Sequence, residues 1–127
     1  LLARDGLKSV HPPLQDLPYL PWMAAFGVGE TAVRALPWLC GVTAVGLAFV
    51  LGWQLGSPRA GLLAAAVLAI NPLHVTYSQE ARNYAQVAVL VTAAHVLAVR
   101  CLTRGRWVDH AAYVPVASLA LLTHYFA

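Results

Sequence analysis

Residues 33–55 read VRALPWLCGVTAVGLAFVLGWQL, and this run decides the class of the fold. Its charged or amide side chains stand only at the margins, Arg34 near the start and Gln54 near the end. At 1.5 Å per residue, 23 helical residues reach about 34 Å, enough to cross a hydrocarbon core of roughly 30 Å. Trp38 and Trp53 lie near opposite edges, where indole rings anchor a helix at the two membrane–water interfaces. Gly52 and Gly56, four apart, offer a small-residue face for close helix approach.

The rest of the chain continues the theme. Of 127 residues, 60% are hydrophobic and 10% charged, against roughly a quarter charged in soluble domains. The expected fold is all-α and polytopic, with about four transmembrane helices at 33–55, 60–76, 84–102 and 107–127. In the second run Gly61, Ala65 and Ala69 repeat every four residues, and Asn71-Pro72 ends or kinks it. Residues 1–32 are expected to form a loop on the extracytoplasmic side. Within it, Pro12-Pro13 opens a short helix over 14–26, too short to span and carrying Tyr19 and Trp22, so it is expected to lie in the interface. All 127 residues form one partial transmembrane domain on this reading, a piece of a larger membrane protein.

A net charge of +3 on scattered carriers gives no basis for nucleic-acid binding. Cys40 and Cys101 fall inside apolar runs, where a thiol acts as a small hydrophobe. If the short loops 56–59 and 103–106 face the cytoplasm, that side holds Arg59, Arg100, Arg104 and Arg106. The other holds Arg4, Lys8, Arg34 and Arg82, offset by Asp5, Asp16, Glu30 and Glu80. The basic counts tie at four each, with Asp109 opposing on the cytoplasmic side, so the positive-inside rule leans this way without deciding it. His11-Pro12-Pro13, Glu30 with Arg34, Tyr77–Tyr84 and His124-Tyr125 then all emerge on the outer face.

Tyr77-Ser78-Gln79-Glu80-Ala81-Arg82-Asn83-Tyr84 is the polar knot of this apolar chain. Glu80 suits a general base, a metal ligand or a partner for Arg82, and Arg82 offers a planar fork that fits phosphate. His11 and His124 could ligate a metal, shuttle protons or bind phosphate oxygens. On residue chemistry alone, an interfacial Glu80–Arg82 ion pair with a Tyr77/Tyr84 headgroup belt explains the same pattern equally well. His74 and His110, near span ends, read as interfacial, and His95, in mid-span, as a buried group bonding between helices. A transporter or flippase with a gating cluster, or a non-enzymatic polytopic subunit, is the alternative class; the chain shows no internal repeat in support of a transporter.

The succession His11-Pro12-Pro13-Leu14, Phe26-Gly27 with Glu30 and Arg34, the Tyr77–Tyr84 phrase, and Thr123-His124-Tyr125-Phe126 resembles the bacterial family 39-type glycosyltransferases. These are relatives of the dolichyl-phosphate-mannose–protein mannosyltransferases within the GT-C superfamily. The resemblance implies an inverting transferase of the plasma (inner) membrane. It would move a sugar from a polyprenyl-phosphate donor to a protein, lipid or glycan acceptor on the extracytoplasmic face. It implies a catalytic role for Glu80 as the second acidic motif, and substrate contacts from Arg82, Tyr84, His11, His124 and Tyr125. A divalent cation at Glu80 is a candidate cofactor. The family's first-loop acid is expected upstream of residue 1, so the 127 residues alone are expected to be inactive.

Overall fold

The computed structural model describes residues 18–80 and 82–123, and their architecture is entirely helical. Six helices follow in order: α1 (Tyr19–Phe26), α2 (Glu30–Leu55), α3 (Pro58–Ile70), α4 (Pro72–Gln79), α5 (Tyr84–Arg104) and α6 (Trp107–Thr123). The central helix is α2, which packs against α1, α3, α4 and α5, while α6 packs on α5. Of the helix expected over 14–26, α1 is the described part; it stops at Gly27, whose N–H donates to the Met23 carbonyl. The Trp22 indole N–H donates to the Ala32 carbonyl at 2.6 Å and so ties α1 to the first turn of α2.

Two helices are long and apolar enough to cross a membrane, α2 with 26 residues and α5 with 21. A third crossing is available if α3 and α4 count as one broken span, because they meet at an angle of 62°. The span expected over 60–76 is divided at Asn71-Pro72, where an end or kink was expected. Pro72 has no N–H to give the Leu68 carbonyl, and its ring crowds the preceding turn. Asn71 leaves the helix in an extended conformation, and its side-chain oxygen accepts from the Leu73 and His74 N–H groups, which caps α4. At 13 residues α3 alone measures about 20 Å, well short of the core. The last helix, α6, has 17 residues within the described part, about 26 Å.

Apolar burial does not hold these helices together in lipid; close packing does. The α2–α3 turn is set by Ser57, whose Oγ accepts from the Ala60 N–H, with Pro58 opening α3. The backbones then touch: a Cβ on Gly52 would lie 2.9 Å from the Gly61 Cα, and one on Gly61 would lie 2.5 Å from the Phe49 carbonyl oxygen. Gly52 thus packs against the start of α3, while Gly56, its expected partner in a small-residue pair, sits in the turn against Ala60. At the same end the Gln54 amide faces α5, 3.2 Å from the Val96 carbonyl and 3.3 Å from Arg100 Nε, and with its nitrogen turned to the carbonyl it bridges the two. Within each of the two long apolar helices only 17% of the most apolar window is buried in the chain, which leaves most of their surface to lipid or to further helices. His95 is one of the groups left outside. It is exposed and turns Nδ1 onto the Val91 carbonyl of its own helix at 2.7 Å, in place of the expected bond between helices, because no described helix covers that face.

Gly61→Val should lower the thermal midpoint of the full-length protein in detergent by several degrees, since overpacking of this kind costs about 1–3 kcal/mol. An unchanged midpoint would show that α2 and α3 part without penalty.

Candidate functional site

The polar knot is divided between three conformations. Tyr77, Ser78 and Gln79 form the last turn of α4, Glu80 is extended, and Asn83 leads into α5 at Tyr84. The Arg82 N–H donates back to the Glu80 carbonyl at 2.8 Å, which folds the connection into a tight loop. Across that loop the Tyr77 and Tyr84 rings meet with centroids 4.6 Å apart and planes tilted by 38°. The two phenols at the ends of the phrase therefore close it into one unit.

Two contacts aim α4. His74 Nε2 lies 3.2 Å from the Gly41 carbonyl oxygen, and Ser78 Oγ donates to the His74 carbonyl at 2.6 Å. Ser78 also occupies the space above Gly41 where any larger residue would carry its Cβ: the Ser78 Cβ would stand 2.7 Å from it. Only glycine lets α4 lie this close to α2. His74, read from sequence as interfacial, is thus half-buried and pinned to the central helix.

With α4 held there, its end comes to the mouth of α2. Arg34, Gln79, Glu80 and Arg82 line one groove of about 350 Å³. Arg34 is oriented by Glu30, one turn earlier, at 2.8 Å. Arg82 Nε stands 3.9 Å from Glu80 Oε2, an ion pair beyond direct hydrogen-bond length. That carboxylate oxygen is closed off from solvent and has no hydrogen-bond partner among the described residues. A groove with two guanidinium forks can hold an anion. Asn83, on the far side, is buried and donates to the Thr123 carbonyl at 3.0 Å, which draws the end of α6 to the knot.

Glu80 and Arg82 therefore lie in the groove, and Tyr84 beside it on Tyr77. His11, His124 and Tyr125 fall outside the described residues. Three contributors carried no site role in the sequence reading: Arg34, Gln79 and Asn83. The signal for Arg34 was present as a Glu-x-x-x-Arg spacing at the start of an apolar helix, which places both side chains on one face. Among the described residues no group of three or more His, Cys, Asp or Glu side chains is placed to hold a metal ion.

The profile of the family described as dolichyl-phosphate-mannose-protein mannosyltransferase matches residues 10–127. The chain belongs to that family. No curated protein and no solved structure matches it. Membership in the mannosyltransferase family implies glycosyl transfer of the mannosyltransferase type, a lipid-linked sugar donor and a membrane setting, which the apolar helices suit. The family match runs through α2 and the knot, which meet at the groove, and through the end of α6, which meets the knot at Asn83.

Asn83→Ala should destabilise the protein by about 1–3 kcal/mol by leaving a buried carbonyl without its donor. Asn83→Asp, which keeps the size but cannot donate, should behave alike in thermal unfolding. A fully stable Asp variant would remove the Thr123 bond from this account.

Proposed function

We propose that the protein transfers a sugar, mannose or a related hexose, from a polyprenyl-phosphate donor to an acceptor on the extracytoplasmic face of the plasma membrane. The observation that carries this reading is the groove itself: Arg34 and Arg82 beside Glu80, in a chain whose family takes a lipid-phosphate-linked sugar. On this reading residues 18–29 lie on the outer side, α2 and α5 cross inward, and α3 with α4 and α6 return outward, so that the groove opens at headgroup depth.

The reaction is a single displacement with inversion. The acceptor oxygen attacks the anomeric carbon from the face opposite the phosphate, the bond between that carbon and the phosphate oxygen breaks, and the lipid phosphate leaves with the electron pair. Charge grows on the leaving phosphate as the bond lengthens, and a preorganised guanidinium is most effective there, because it needs no reorientation as the charge appears. Arg82 supplies that stabilisation, and its fork fits two phosphate oxygens at once. The acceptor proton passes to a carboxylate. The resemblance assigns that task to a first-loop acid ahead of His11, with Glu80 as the second acidic group, orienting the sugar or acceptor hydroxyls. His11, Tyr84, His124 and Tyr125 complete the substrate contacts in this reading.

In the full-length enzyme, Arg82→Ala should reduce kcat/KM by about two to three orders of magnitude with normal membrane insertion. Arg82→Lys, which keeps the charge and loses the fork, should recover only part of it. Transfer at the wild-type rate in the Ala variant would reject the assignment. Glu80→Gln should lower kcat with little effect on insertion, measured by single-turnover transfer from a purified polyprenyl-phosphate sugar.

A further inference from the structure

The two ends of the helical array treat charge differently. At the groove each guanidinium has a carboxylate within ion-pair distance, Glu30 for Arg34 and Glu80 for Arg82. At the opposite end of α2 stand Arg59 in the first turn of α3, Arg100 and Arg104 toward the end of α5, and Arg106 just before α6. Of the described acids only Asp109 belongs to this end. Among the described residues no carboxylate lies within ion-pair distance of any of these four arginines.

One contact gathers the basic segments. The Gln54 amide, near the end of α2, lies 3.3 Å from Arg100 Nε, which brings the α2–α3 turn and the end of α5 to one level. A guanidinium has five N–H donors, and Gln54 meets only the one on Nε. Arg104 follows four residues later on the same face of α5, a spacing at which like charges repel. The C-terminus of α5 offsets part of that cost at Arg104. An anion shared between the two side chains offsets the rest.

The surroundings narrow the choice of anion. Trp53, Leu55, Leu102 and Trp107, all exposed, set an apolar fringe beside the arginines. A small soluble anion has no use for that fringe, whereas a phospholipid places acyl chains directly below its phosphate. The cations are also all arginine, whose planar fork meets two phosphate oxygens at once, where lysine acts as a point charge.

We propose that this end of the protein binds the headgroup of an anionic phospholipid, with the phosphate at Arg100 and Arg104. Arg59 and Arg106 add attraction to the same leaflet. The site lies away from the groove and takes no part in the reaction described under Proposed function, so either can fail without the other.

The test titrates the full-length protein in neutral detergent with phosphatidylglycerol, phosphatidylcholine or inorganic phosphate, and reads the bound species by native mass spectrometry. Wild type should bind phosphatidylglycerol roughly thirtyfold more tightly than phosphatidylcholine, the ratio expected from two guanidinium groups at an anionic surface. Arg100→Gln combined with Arg104→Gln should bring that ratio to within about fivefold. Because Arg100 also meets Gln54, a second pair, Arg59→Gln with Arg104→Gln, removes two exposed cations and leaves that contact in place. It should lower the ratio at least about fivefold with an unchanged thermal midpoint. Equal affinity of wild type for the two lipids, or an undiminished ratio in the second pair, overturns the proposal. Inorganic phosphate that displaces phosphatidylglycerol at equal concentration assigns the arginines to a free anion and overturns the lipid reading. An acidic polypeptide retained there in place of lipid overturns it as well.

Discussion

A proline without an N–H is the constraint on which the rest of this structure depends. Were the run from Pro58 to Gln79 one straight helix, it would run on beside α2 without the turn that seats Ser78 against Gly41. Pro72 has no N–H for the Leu68 carbonyl, which accepts instead from the Asn71 N–H at 3.2 Å; the Asn71 side chain takes up the orphaned N–H groups of the next turn, and the chain bends by 62°. A backbone break at this depth is tolerated in lipid only where the freed polar groups find partners in the protein. Here the Asn71 side chain provides them locally. The bend then needs a landing site, and Gly41 is that site: it admits Ser78 and offers its carbonyl to His74. Gln79 and Glu80 reach Arg34 by this sequence of events.

The helices were legible in the sequence because membrane physics writes them plainly. A run such as 33–55, apolar but for its margins, has few alternatives in a chain with one charged residue in ten. Asn71-Pro72 announced a break, and the structure supplied what sequence does not carry, the direction of the bend. The knot was conspicuous for the same reason, as eight residues of mixed chemistry between two apolar runs. The family resemblance added roles that residue chemistry by itself left balanced against a plain headgroup belt.

What was not legible is pairing across distance. Nothing local to Arg34 says that Gln79 will share its groove, and nothing local to Asn83 says that its amide will reach a carbonyl forty residues on. Those contacts depend on helix rotation and on glycine-mediated approach, both of which are set by several small residues acting together. His95 shows the complementary failure. A histidine in mid-span was expected to bond to a neighbouring helix, but the carbonyl one turn back in its own helix is always within reach, and the facing helix is not. Gly56 failed differently, since the turn that it serves removed it from the packing face.

The ion pair at the mouth of α2 has a consequence for how a donor arrives. Glu30 engages one nitrogen of Arg34 and leaves the remaining donors of that guanidinium free to point elsewhere, so an anion can bind without displacing the carboxylate. With Glu80 beside Arg82, the four charges sum to zero while the groove is empty. A groove of balanced charge projects little field beyond a Debye length. On the proposed reading, donor capture is then governed by lateral diffusion and by local fit, and its rate is largely insensitive to ionic strength, unlike that of an enzyme that draws a soluble sugar nucleotide from solution by charge.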